Sequence, residues 1–138
     1  YTGIISDGIH VSPGLIKNFV KNKGWQKVVL TSDLVSDFGL FEEKSIEKRV
    51  LSGSKLSLGE ALPLFKKWSE LDNLSAIATA TRNPAKLLGL EAILGTIISG
   101  CNVDFCILDK KTLQFVTSLK DENIFIEQNK EMQARLIL

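Results

Sequence analysis

The sequence predicts an α/β fold followed by a small antiparallel β element. Residues 26–33, QKVVLTSD, hold the aliphatic run Val28, Val29 and Leu30 with no helical spacing, which fits a strand buried on both faces as in a parallel sheet. A strand, a helix and a second strand follow one another within about thirty residues, the order of a βαβ unit with parallel strands and a right-handed connection. From Gly95 onward the apolar period becomes that of strands.

Taken in order, TGIIS at 2–6 is the first strand candidate, and Asp7 and Gly8 form the turn ahead of Ile9, His10 and Val11. Ser12 and Pro13 give a helix start, with a hydroxyl at the N-cap and a proline at the first helical position. Leu15, Ile16, Phe19 and Val20 make an apolar stripe at helical spacing, with Lys17, Asn18, Lys21 and Asn22 outside it, and Gly24 is the stop. Parallel strands bring the loops carrying His10 and Asp33 to one end of the sheet. A carboxylate just past the C-terminal end of such a strand sits where α/β barrels carry their chemistry, so Asp33 is the first candidate for a catalytic group. An aspartate that ends a strand or caps a turn would read the same way, and a single His is more often structural than catalytic.

The stretch 34–50, LVSDFGLFEEKSIEKRV, alternates charges with few apolar anchors and reads as a surface loop. In LSGSKLSLGEAL, 51–62, the small residues allow a ligand to approach the backbone, and amides ahead of a helix suit sugar hydroxyls or phosphate oxygens; a flexible entry turn would look the same. Ser57 with Glu60 makes a capping box, and Leu58, Ala61, Leu62, Phe65, Trp68 and Leu71 supply the buried face of a helix reaching about Glu70. Leu74, Ile77 and Ala78 fit a second short helix, and Asn83 with Pro84 starts a third that ends near Gly89. After a turn at Gly100 to Asn102, VDFCILD, TLQFVTSL and NIFIEQ are successive extended segments, with Lys110 and Lys111 at the first hairpin turn.

Composition narrows the function classes. At 138 residues with 44% hydrophobic content the chain has the size and apolar content of one domain. A net charge of +1, from 17 basic and 16 acidic residues, makes no electrostatic case for nucleic acid or an anionic membrane as partner. Without a spanning apolar run or a signal-peptide pattern, a cytoplasmic protein is expected. Cys101 and Cys106 are too few for a disulfide framework and, with one His in the chain, for a zinc site; they read as reduced packing residues.

Together the motifs SDGIHVSP at 6–13, VVLTSD at 28–33, LSGSKLSLGEAL at 51–62, ATRNPAKLLGL at 80–90 and LGTIISGCNVDFCILD at 94–109 resemble the C-terminal part of the N-acetylglucosamine-6-phosphate deacetylase family. The NPA, LGL and GxIxxG pieces are shared across the amidohydrolase superfamily, whereas DGIHVxP and LSGS are narrower. The resemblance implies the last βα units of a metal-dependent hydrolase (β/α)8 (TIM) barrel at residues 1–94, C-terminal strands of a small β-sandwich at 95–128, and a tail at 129–138. It implies hydrolysis of the N-acetyl group of N-acetylglucosamine 6-phosphate by metal-activated water. Asp33 aligns with the general base and acid, His10 with a contact to the sugar phosphate, and Leu51, Ser52 and Gly53 with a backbone segment lining the pocket.

The expected cofactor is a divalent metal, zinc or similar, whose Glu and His ligands in the family precede the region matched here, so this chain is expected to hold none of them and to be inactive alone. The expected partners are the phosphosugar substrate, the remainder of the same polypeptide and a second copy in a homo-oligomer. Another amidohydrolase, acting on a cyclic amide or a different acylated substrate, and a non-catalytic assembly or binding module are the alternatives.

Overall fold

The computed structural model describes residues 1–35 and 53–120, and the backbone of 123–126. Strand β1 (Thr2–Ile5), helix α1 (Pro13–Lys23) and strand β2 (Val28–Thr31) form the expected βαβ unit, with a single 3-10 turn at Trp25–Lys27 leading into β2. The strands pair in parallel, Thr2 with Val28 through Ile5 with Thr31. Val28, Val29 and Leu30 are all buried, as a strand covered on both faces requires. The Thr31 hydroxyl donates across the pair to the Ile4 carbonyl at 3.2 Å.

Helix α1 begins at the Ser12–Pro13 signal, but the Ser12 side chain makes no cap hydrogen bond. Its backbone carbonyl accepts from Ile16 N instead, and Gly24 closes the helix by donating to Val20 O. Ile16 and Val20, one turn apart, are the fully inward residues, and Phe19 packs beside them. Leu15, expected in the stripe, is 57% exposed, because the sheet covers a narrower face of α1 than the sequence pattern suggests.

Helix α2 (Leu58–Ser69) starts with the predicted capping box: Glu60 N donates to Ser57 Oγ while Glu60 Oε2 accepts from Ser57 N at 2.8 Å. Ala61, Leu62 and Phe65 are buried, with Trp68 and Leu71 packed at the margin, whereas Leu58 lies at the exposed start of the helix. Helix α3 (Asn73–Ala80) is capped by Asp72, whose carboxylate accepts from Ser75 N at 3.0 Å and from Ser75 Oγ at 2.7 Å. Helix α4 (Arg82–Leu88) ends at Gly89 as expected. It begins at Arg82, before the Asn83–Pro84 pair, and the Asn83 side-chain amide makes a tertiary bond, donating to the carbonyls of Trp25 at 2.7 Å and Val28 at 2.8 Å.

Strands β3 (Asp104–Leu108), β4 (Phe115–Lys120) and β5 (Asn123–Ile126) make an antiparallel sheet in sequential order. The turn between β3 and β4 is organised by Asp109, whose Oδ1 accepts from Lys111 N, Thr112 N and Thr112 Oγ1 at 2.7 to 2.9 Å. Leu113, in a left-handed conformation (φ 61), inserts from this turn into the same core as Ile4, Ile16, Val28, Leu62 and Phe65. Asn73 Nδ2 adds a bond to the Lys110 carbonyl at 2.9 Å, tying the turn to α3. Cys101 and Cys106 are free thiols, but Cys106 is exposed, so it is not the packing residue expected. No helix among the described residues is long and apolar enough to cross a membrane.

Candidate active site at the strand ends

Because β1 and β2 are parallel, the segments that follow them leave from the same end of the pair. The first begins with Ser6, fully buried, whose hydroxyl has no hydrogen-bond partner among the described residues. Asp7 then folds the loop around its own carboxylate. Oδ1 accepts from the backbone N–H groups of Ile9 and His10, each at 2.9 Å, and Oδ2 meets His10 Nδ1 at 2.6 Å.

The Asp7 side chain is only 4% exposed. Burial works against its charge, yet the hydrogen bonds from the His10 backbone and ring, the bond from Ile9 and the attraction of the His10 ring when protonated outweigh it and bring its pKa down to about 2. Gly8, at φ 77, lets the loop lie on the Trp68 ring of α2, where a β-carbon would come within 3.1 Å of the indole edge. Trp68 thus supports the loop from its place at the core margin.

The second segment turns sharply at Asp33, which adopts φ 52, a conformation that side-chain-bearing residues rarely hold and that Asp tolerates better than most. Asp33 is exposed, and its backbone carbonyl accepts from Ser54 N at 2.7 Å while Val35 N donates to Ser54 O at 3.1 Å. A parallel bridge between Leu34 and Ser54 results, so the chain after residue 52 returns alongside the continuation of β2. Gly53 sits against Asp33, where a β-carbon would meet the Asp33 carbonyl oxygen and Val35 Cγ1, both at 2.5 Å. The Ser54 hydroxyl accepts from Leu56 N, fixing the chain as it approaches α2.

Of the residues singled out in the sequence, Asp33 and Gly53 are therefore neighbours, and His10 lies in the loop at the end of the adjoining strand. Leu51 and Ser52 lie outside the described residues, as does most of the 34–50 stretch. Among the described residues no three His, Cys, Asp or Glu side chains converge on a point that could hold a metal ion, so these residues do not by themselves fit a divalent cation. The sequence reading missed two residues that shape this end. Asp7 was assigned only to a turn, although its spacing of three from His10 is that of a side chain reaching the next loop position. Asn83 was assigned to a helix start, and no local signal marks a bond that spans 55 residues to Val28.

No protein-family model matches the chain. The curated rat N-acetylglucosamine-6-phosphate deacetylase is 29% identical over 125 residues, covering 79% of this chain and 30% of the rat protein. The chain thus spans about a third or less of the length of such relatives. The crystal structure of N-acetylglucosamine-6-phosphate deacetylase from Thermotoga maritima superposes with a TM-score of 0.77 at 25% identity, over 91% of this chain and 38% of that one. A variant of the Mycobacterium smegmatis enzyme, with alanine in place of an aspartate and in complex with N-acetyl-D-glucosamine-6-phosphate, shares the fold with a TM-score of 0.74 at 19% identity, over 91% of this chain and 37% of that one. The proteins so named are enzymes. In sequence and in fold the chain is therefore similar to part of the N-acetylglucosamine-6-phosphate deacetylases, over about a third of their length.

Proposed function

We propose that this chain supplies the proton-transfer group and part of the sugar pocket of an N-acetylglucosamine-6-phosphate deacetylase. The observation that carries the reading is the contact between Asp33 and Gly53 at the ends of parallel strands, which joins the aligned catalytic residue to the aligned pocket segment. In this reading the βαβ unit and helices at residues 1–94 belong to the last βα units of a (β/α)8 barrel, and the antiparallel strands at 95–128 to a small β-sandwich.

The chemistry is amide hydrolysis. Water attacks the N-acetyl carbonyl carbon, Asp33 takes the water proton, and the same proton passes to the amine nitrogen as the carbon–nitrogen bond breaks, giving acetate and glucosamine 6-phosphate. A positioned carboxylate in this role is typically worth about 10²- to 10⁴-fold in rate. His10 contacts the sugar phosphate, and Leu51, Ser52 and Gly53 line the pocket with backbone. The described residues do not assemble a metal donor set, so any divalent ion would rest on ligands elsewhere in the polypeptide.

The test is deacetylation of N-acetylglucosamine 6-phosphate by the full-length protein with added divalent metal, beside Asp33→Asn. Activity that drops by about 10²-fold or more in the variant supports the assignment. A folded, metal-loaded protein without activity on this substrate overturns it.

A further inference from the structure

The reaction reading gives Asp7 no role, yet its side chain accepts or shares three hydrogen bonds at this end of the sheet. Its carboxylate is nearly buried, accepts from two backbone N–H groups, and lies 2.6 Å from His10 Nδ1. The loop between them is held by Gly8 against Trp68, so the ring and the carboxylate are presented as a unit. An ionised carboxylate can only accept, which requires the proton of the His10 ring to sit on Nδ1. Any ring contact to a substrate then runs through Nε2.

That constraint decides what His10 can recognise. With Nδ1 protonated, a neutral imidazole offers only a lone pair at Nε2, and a phosphate oxygen is also an acceptor, so the two repel. An imidazolium offers an N–H at Nε2, and its charge strengthens the bond to an anionic oxygen. The nearby carboxylate of Asp7 favours the imidazolium. The residue beneath the loop on α2, Trp68, carries no charge.

We propose that Asp7 is a positioning residue that holds His10 as an imidazolium donor for an anionic oxygen of the substrate, so that selection for a phosphorylated sugar depends on Asp7. The proposal rests on the assignment of His10 to the substrate phosphate. Asp7 itself touches no reacting atom.

Asp7→Asn removes the charge while its carbonyl can still accept the two backbone N–H bonds that Oδ1 takes; its amide NH2 then stands where Oδ2 met the ring, so the acceptor that fixes the Nδ1 proton is lost with the charge. In the full-length, metal-loaded protein we would measure kcat and KM for N-acetylglucosamine 6-phosphate and for unphosphorylated N-acetylglucosamine, near pH 6 and pH 8. The expected result is a KM for the phosphorylated sugar raised about tenfold near pH 8, with kcat little changed, and a smaller effect near pH 6 where solution protons charge the ring unaided. The unphosphorylated sugar should be unaffected. Equal losses on both sugars, or the same loss at both pH values, would overturn the proposal by marking Asp7 as merely structural.

A second readout separates failure of this inference from failure of the deacetylase reading. The protonation of the His10 ring near neutral pH is followed by nitrogen NMR on histidine-labelled protein, with His10→Gln identifying the signal. A charged ring in the native protein that becomes largely neutral in Asp7→Asn supports the dyad even if no sugar is turned over, whereas an unchanged ring sinks it.

Discussion

Gly53 and Asp33 are packed so closely that position 53 has no room for a side chain: a β-carbon there would lie 2.5 Å from the Asp33 carbonyl oxygen. The same carbonyl accepts the Ser54 N–H at 2.7 Å, so the approach of the two segments is fixed by a backbone bond. Asp33 in turn holds an uncommon left-handed conformation, φ 52, which the returning strand maintains. Gly53→Ala must push the two segments apart, displacing the Asp33 carbonyl together with the Val35 side chain. Displacements of about 1 Å at a reacting group are enough to cost about 10²-fold in rate. We expect Gly53→Ala to lower kcat on N-acetylglucosamine 6-phosphate by about that factor while far-ultraviolet circular dichroism stays native. Wild-type kcat in a folded variant would show that the contact does not position Asp33.

Asn83 fixes the other end of β2. Its amide is buried and donates to Trp25 O and Val28 O, the carbonyls that bracket the entry to the strand. Asn83→Ala leaves the buried Val28 carbonyl and the half-buried Trp25 carbonyl without that donor, and an unsatisfied buried polar group costs about 1–3 kcal/mol. Asn83→Asp should be at least as harmful, because an ionised carboxylate would face two acceptors. Urea denaturation of the full-length protein checks both, and a loss under about 0.5 kcal/mol for either would remove the bond from the list of features holding the strand.

The extent to which the fold was legible follows from the range of each interaction. The βαβ unit, its parallel pairing and the capping box of α2 are written in local pattern: an aliphatic run, a Ser–Pro start, a serine three residues before a glutamate. Local pattern overstated burial wherever an apolar residue fell at the edge of a stripe, as with Leu15 and Leu74, the latter 80% exposed. The bonds that organise the candidate site are long-range or conformational. Asn83 reaches Val28 across the chain, and Gly53 meets Asp33 only because the backbone after residue 52 returns beside β2. Strand order singled out Asp33 and His10 and resemblance to the family added Gly53, but nothing in their spacing says which of them touch.

Asp7 predicts an acid limit for this end of the sheet. Its pKa lies at about 2 in the folded protein against an ordinary value of 3.8. A folded-state value below the unfolded one means that the stabilisation is fully present above about pH 4 and is lost as the pH falls through about 2. The loop lies near the surface, so we discount for solvent screening and expect about 1 kcal/mol. Asp7→Asn should therefore be less stable than the native protein near pH 5 and indistinguishable from it near pH 2. A difference that persists at the lower pH would assign the loss to hydrogen-bond geometry instead of charge.

Leu113 joins the antiparallel sheet to the α/β core. It lies in the β3–β4 turn at φ 61, an unfavourable conformation for a leucine, and is nearly fully buried among Ile4, Ile16, Leu62 and Phe65. The apolar contact outweighs the backbone cost, since burying a leucine contributes about 1.5–3 kcal/mol and a left-handed residue costs about 1–2. Leu113→Ala keeps the backbone cost and removes most of the contact, for an expected loss of about 2–4 kcal/mol. The loss should be local before it is global. Asp109 would still organise the turn through Lys111 and Thr112, so β3 and β4 should stay paired while their attachment to α2 and α3 loosens. Hydrogen exchange separates the two effects: amides of the turn, including Leu113 N bonded to Asp109 O, should lose protection in the variant before those of β1 and β2 do. Equal loss of protection in both sheets would mean that the hairpin and the βαβ unit open as one cooperative unit, and that Leu113 is part of the common core in energy as well as in position.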